Sequence, residues 1–229
     1  MRLIDKSEHA VTRAALDDLV RFEGGEYVVN DDRAAVVHVG ELNKCLLADE
    51  REFNATVERL NLRGEFCLFG ASKAAPTVIG FCAEPCITYA YFGALPHPLS
   101  GIATIKRLGT SMADAVAATY ENKNGHYTSE HVRDIIINKG VFGAFKDSGF
   151  AGFVGRHDDG TMGLLHVFEP FRKRGFGAEL EKFIIGYVMT FGRVPLCDVY
   201  ADNPVSLDMQ SKLSLTPAAD GYTYWFKRK

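Results

Sequence analysis

One run of the chain concentrates residues that could do chemistry: Glu169-Pro170-Phe171-Arg172-Lys173-Arg174-Gly175-Phe176-Gly177-Ala178-Glu179-Leu180. Three consecutive cations are followed by Gly-x-Gly where a helical periodicity starts, with Leu180, Phe183, Ile184, Tyr187 and Val188 on one face. Glycines let backbone approach a ligand closely. The N–H groups of a first helical turn have no partner within the helix and lie at the positive end of its dipole. Together these make an anion cradle suited to a pyrophosphate. The run lacks the GxxxxGK[ST] of a P-loop and the third glycine of a dinucleotide fingerprint. Taken by itself, it also fits a solvated, charged helix start with a glycine turn.

The elements that would position this run are legible on both sides of it. Upstream, Val141 to Lys146 and Gly149 to His157 read as strands joined at Asp147-Ser148. Asp158-Asp159-Gly160 then turns the chain into a third strand, Met162 to Phe168. Two helices precede them, the second capped by Thr128 or Ser129 and ended by Gly140. Downstream, Val194 to Ala201 reads as a strand. Asn203-Pro204 opens a last helix, and Tyr222 to Phe226 a terminal strand. The first half predicts a helix over Thr12 to Phe22, strands at Glu26 to Val29 and Ala34 to Val39, and a helix carrying Phe53, Val57 and Leu60. Strands are then expected at Phe66 to Phe69, Thr77 to Cys82 and Ile87 to Phe92. The loop-like Leu95-Pro96-His97-Pro98-Leu99-Ser100-Gly101 divides the chain into expected domains 1–98 and 99–229. The class is α/β with a mixed sheet.

Composition bounds the function. The chain has 229 residues, 47% hydrophobic and 24% charged, with a net charge of −3, so it is globular and offers no global basic field to a nucleic acid or an anionic membrane. No run reaches the ~18 apolar residues of a membrane span, and the N-terminus lacks a signal peptide's apolar core. Its 5 cysteines are scattered without a CxxC pair, and its 7 histidines show no HxxxH spacing, so no metal site is expected. A reducing cytoplasm is the expected location.

Arg172-x-x-Gly175-x-Gly177, preceded by the strand Leu164 to Phe168 and by Pro170, resembles the acyl-CoA motif of the GNAT superfamily of N-acetyltransferases. Downstream, Asn203-x-x-Ser206 with Lys212-Leu213-x-Leu215 resembles the superfamily's second segment, and within the superfamily the glycine N-acyltransferase-like branch is the nearest in pattern. The resemblance implies a GNAT-like, mostly antiparallel sheet with a splayed central strand and flanking helices over 99–229. The smaller N-terminal α/β half would then be a degenerate GNAT-like unit. It implies acetyl-CoA or another acyl-CoA as cosubstrate, an amine acceptor as partner, direct acyl transfer, and a monomer or homodimer. The pantetheine arm would lie on Leu165, Val167 and Phe168 and the pyrophosphate on the amides of Lys173, Arg174, Gly175, Phe176, Gly177 and Ala178. Arg172 or Arg174 would add a charge-assisted contact, and Asn203 would reach the pantetheine while also serving as a plain N-cap. A backbone N–H near Val167 would stabilise the oxyanion.

The superfamily's familiar proton-handling groups are missing. The position of its helical Tyr is Gln210, and that of its early-strand Glu is Thr161 or Met162. The expected substitutes are His166, with a pKa suited to neutral pH, and Asp198, each with a structural alternative. Cys197, Tyr200 and Tyr224 read as packing, and His126-Tyr127 as residues bordering the acceptor. Phe142, Phe145, Phe150 and Phe153 read as core or as an acceptor pocket. The rival function is an acyl-CoA-binding or sensing module that does not turn its ligand over.

Overall fold

The computed structural model describes residues 1–73, 76–124 and 127–228. In chain order the main elements are α1 (Ala10–Phe22), β1 (Glu26–Asn30), β2 (Ala34–Val39), β3 (Leu42–Leu47), α2 (Phe53–Arg59), β4 (Glu65–Ala71) and β5 (Phe81–Ala90). Then come β6 (Thr104–Arg107), α3 (Ala113–Asn124), α4 (Ser129–Asn138), β7 (Val141–Lys146), β8 (Gly149–Arg156), β9 (Met162–Val167) and α5 (Phe176–Met189). The last are β10 (Leu196–Tyr200), α6 (Pro204–Lys212), β11 (Thr216–Pro217) and β12 (Tyr222–Arg228).

They form two compact units, Met1–Phe92 with Leu196–Lys229, and Gly93–Pro195. This division differs from the expected 1–98 and 99–229, because the residues after Pro195 form ladders with the first half. The sheet of the first unit runs β1-β2-β3-β4-β12-β5-β10, with β11 also on β5. The terminal strand β12 lies between β4 and β5 and is antiparallel to both. Among the described residues only β3 and β4 run parallel in this sheet, paired from Leu42↔Glu65 to Leu46↔Phe69 and linked through α2. Its core gathers Val36, Cys45, Phe53, Leu68 and Phe226. The hairpin at Asp31 is fixed by its carboxylate, which accepts the N–H groups of Arg33 and Ala34 at 2.8 Å each.

Two sequence expectations change here. Thr77 to Cys82 and Ile87 to Phe92 do not make separate strands; one strand, β5, runs through Glu84 and Pro85. Proline supplies no N–H, but the Pro85 carbonyl still accepts from Ala201 N–H at 3.0 Å. β3 was not expected, because Asn43 and Lys44 interrupt its apolar run. Both are buried all the same.

The second unit is a four-stranded antiparallel sheet in the order β6-β7-β8-β9. Val132, Ile135 and Ile136 of α4 and Val116 of α3 pack with Phe153 and Leu164 on one face. Phe142 pairs with Val154, so its side chain points to the other face, where it meets Phe183 and Tyr187 of α5 at 4.9 and 4.6 Å. No helix among the described residues is long and apolar enough to cross a membrane.

Phe226 is 2% exposed and stacks on Phe53 at 5.0 Å, so the inserted terminal strand anchors the first unit's core. Phe226→Ala is expected to destabilise that unit by about 3–5 kcal/mol. The measurement is the denaturant midpoint, which should fall without a change in slope.

Candidate active site

The run singled out in the sequence is reached through β9, and β9 is irregular. Arg156↔Met162 and Gly155↔Gly163 are paired, and pairing then resumes at Phe153↔His166 and Gly152↔Val167. Leu164 and Leu165 therefore face Val154 alone. This is a β-bulge, a feature that re-aims a strand and concentrates beside functional sites. Leu164 pays the conformational cost: it is a bulky residue at φ +51°, buried to 1% exposure. Beyond the bulge β8 approaches so closely that a Cβ on Gly152 would lie 2.3 Å from the His166 carbonyl oxygen.

β9 is an edge strand among the described residues. Phe168 N–H donates to Ala151 C=O at 3.0 Å, so Val167, one residue earlier, turns its N–H and C=O to the outer edge. Arg172 Nε donates to that Val167 carbonyl at 2.9 Å, tying the first cation of the run to the strand.

A short 3-10 turn, Glu169–Phe171, with Pro170 inside it, leads to α5. Lys173 (φ +58°) and Gly175 (φ +88°) both adopt the left-handed conformation. Gly175 is the N-cap and supplies no side chain, whereas Thr128 and Asn203 cap α4 and α6 with their own oxygens. The first bond into α5 is Glu179 N–H to Gly175 C=O at 3.0 Å. The N–H groups of Phe176, Gly177 and Ala178 precede it and point out of the helix end. Arg172, Lys173 and Arg174 are exposed around them. Arg174 is steadied by the rings of Phe171 (5.6 Å) and Phe176 (5.8 Å) and by the Pro170 carbonyl (3.3 Å). The cradle is thus prearranged by backbone geometry and an aromatic clamp.

The remaining candidates fall elsewhere. His166 lies on β9, stacked on Phe153 (5.7 Å) and edge-on to Phe168 (5.0 Å). Asp198 and Asn203 belong to the first unit. One Asp198 oxygen accepts from Thr88 Oγ1 and the other from Trp225 Nε1 at 2.9 Å, while Thr88 also bonds Thr223 at 2.7 Å. That arrangement is a structural acceptor inside a sheet. Asn203 Oδ1 accepts from Ser206 N–H at 3.2 Å, which is its N-cap role. Cys197 and Tyr224 are buried, and the Tyr224 hydroxyl donates to Lys73 C=O at 2.7 Å. Of the four phenylalanines, Phe142 faces α5, while Phe145, Phe150 and Phe153 stack in series on the other face. His126 lies outside the described residues; Tyr127 bonds His157.

Two features were not anticipated. The bulge at Leu164 is one. The other is Glu179 in the first turn of α5, 2% exposed, whose carboxylate accepts from Ser100 N–H (3.0 Å), Ser100 Oγ (2.7 Å) and Gly101 N–H (2.8 Å). Burial pushes its pKa up, but these donors and Lys182 outweigh burial and hold it below the ordinary carboxylate value.

Comparison with known proteins places the architecture. No family model matches the chain, and no curated protein matches it. Among solved structures, a Drosophila protein shares 13% identity over 98% of this chain and 97% of its own, with a TM-score of 0.64. A GNAT-family acetyltransferase from Colwellia psychrerythraea shares 13% identity over 97% of both chains, with a TM-score of 0.52. A GCN5-related N-acetyltransferase from Kribbella flavida shares 12% identity over 96% of this chain and 95% of its own, again at 0.52. The chain has the GNAT fold, α/β with a mostly antiparallel sheet and flanking helices.

Glu179→Gln should destabilise the second unit by about 1.5–3 kcal/mol at neutral pH, since charged hydrogen bonds to a buried group are lost. Because the folded-state pKa is depressed, the wild-type advantage is present above the unfolded value of about 4.3 and disappears as pH falls through the folded value. Urea melts of both proteins from pH 7 down to pH 3 measure the convergence.

Proposed function

We propose that the chain is an acyl-CoA-dependent N-acyltransferase that moves an acetyl or other acyl group from CoA directly to a primary amine. The observation that carries this reading is the continuity of one segment. The bulge at Leu164–Leu165, the outward edge of β9 at Val167 and the start of α5, capped by no side chain, follow each other along one stretch of chain from Leu164 to Gly175. The donor set fits the ligand: a left-handed glycine, three helix-end amides and three cations suit a pyrophosphate. A strand edge suits the amides of a pantetheine arm.

Bound acyl-CoA would supply an activated thioester carbonyl. Gly175 to Ala178 and the Arg172–Arg174 run would hold the pyrophosphate, and Leu165, Val167 and Phe168 the arm. The Val167 N–H is the donor placed to neutralise charge developing on the acyl oxygen. His166 is the side chain of the strand itself able to move a proton near neutral pH. Asp198 is set aside from proton transfer, since both its oxygens are committed to Thr88 and Trp225. The acceptor's ammonium must lose a proton before its nitrogen can attack.

The test combines a thermal shift with acetyl-CoA and a thiol-release assay against glycine, spermidine and tyramine. At acetyl-CoA 100-fold above Kd, wild type is expected to gain about 5–10 °C and to release CoA with at least one amine. A Gly175→Asp/Gly177→Asp double variant should show neither effect, because its carboxylates occupy the anion position. Stabilisation without thiol release would make the chain a sensing module, and no stabilisation would overturn both readings.

A further inference from the structure

The start of α5 is held differently from those of α4 and α6. Thr128 and Asn203 cap those two helices with side-chain oxygens, whereas Gly175 gives α5 none. A helix start without a side-chain cap is prone to fray. A cap here would also set an acceptor oxygen on the amides of Phe176, Gly177 and Ala178, where an anion is to sit. The turn must be held some other way.

The segment 96–102, which belongs to the same unit, lies as a strap along one face of α5. It meets the helix at Gly186, Glu179 and Gly175, positions whose spacing puts them on a common face. A Cβ added to Gly186 would lie 3.3 Å from Pro96 Cβ, and one added to Gly175 would lie 3.3 Å from Ile102 Cδ1. Between these two contacts Glu179 grips the strap with both carboxylate oxygens. One accepts from Ser100 N–H and Oγ at 3.0 and 2.7 Å, the other from Gly101 N–H at 2.8 Å. Gly101 is left-handed (φ +73°), and the next residue, Ile102, is the one that arrives on Gly175. Glu179 is 2% exposed, with Lys182 the charged neighbour on its own helix. A buried carboxylate resists losing such donors, since any departure leaves its charge without partners.

We infer that Glu179 is a positioning residue for the acyl-CoA cradle: its grip on Ser100 and Gly101 seats Ile102 against Gly175 and braces the first turn of α5 from its flank. The inference rests on the acyl-CoA reading above. The brace does the work of a side-chain cap without occupying the anion position. The amides of Phe176, Gly177 and Ala178 are ordered before the ligand arrives, which removes a cost that binding would otherwise meet. The effect is confined to the charged part of the ligand. The pyrophosphate depends on the first turn of α5, whereas the pantetheine arm depends on the edge of β9.

The experiment compares the Kd of acetyl-CoA with that of S-acetylpantetheine, which carries the same thioester and arm but no pyrophosphate. The full chain and its Glu179→Gln and Ile102→Ala variants are titrated at pH 7, each first shown to be folded by circular dichroism. Glu179→Gln should weaken acetyl-CoA by about tenfold, the scale of a lost helix cap, and Ile102→Ala by about fivefold. Both should leave S-acetylpantetheine within about twofold of wild type, a split that a general loss of stability does not produce. Ile102→Ala keeps the carboxylate and all its donors, so it decides the matter if Glu179→Gln does not fold. Unchanged acetyl-CoA affinity in the folded variants, or equal losses for both ligands, would overturn the role of Glu179. A wild type that does not bind acetyl-CoA would instead overturn the acyl-CoA reading, and this inference with it.

Discussion

An antiparallel ladder normally sets one residue against one, so every strand edge is either paired or regular. At Val154 two residues of β9 face one of β8, and the chain continues only because Leu164 accepts a left-handed backbone. The burial of its side chain among Val132, Ile135 and Phe153 supports that conformation, since apolar contact offsets the strain. The rest of the site depends on this one irregularity. It re-aims the end of β9, turns the backbone of Val167 to the open edge and delivers the chain into the Glu169–Phe171 turn. Arg172, bonded back to the Val167 carbonyl, then fixes where α5 begins.

The same order of strand, loop, helix and strand occurs twice in the chain, with opposite outcomes. In the first unit, β3 and β4 pair in parallel register along five consecutive positions, and α2 closes over them. The loop between β3 and α2 is acidic: Asp49 is held at a pKa of about 2 by Arg51, and Glu50 accepts from Ser72. Anionic side chains there repel a pyrophosphate, and β3 is paired on both edges, to β2 and to β4. In the second unit β9 is an edge, and the loop before α5 carries three cations and a left-handed glycine. The two segments share an order of elements, and their chemistry differs by the charge of one loop and the pairing of one strand.

What could be read in the sequence was what is encoded locally. The cation run, the Gly-x-Gly turn, α5 and the strand before it are each set by neighbouring residues, and they stand where expected. Structure set by partners far along the chain was not legible. β3 is not marked by the sequence pattern, because Asn43 and Lys44 look like loop residues. In the fold Asn43 donates to the Arg63 and Glu65 carbonyls, and Lys44 Nζ sits 5.0 Å from the Trp225 ring and 5.7 Å from Phe69. The partners that hold Asp198 as a structural acceptor, Thr88 and Trp225, are likewise distant in sequence. The bulge follows from the β8–β9 register, which no single segment encodes. The domain division shifted because β12 lies between two strands of the first half.

We propose that one segment, from the bulge of β9 to the first turn of α5, holds acyl-CoA, and that its counterpart at β3 and α2 does not. Calorimetric titration of the full chain with acetyl-CoA measures this directly through the stoichiometry. One molecule bound per chain is the predicted result; two, or none, would contradict it.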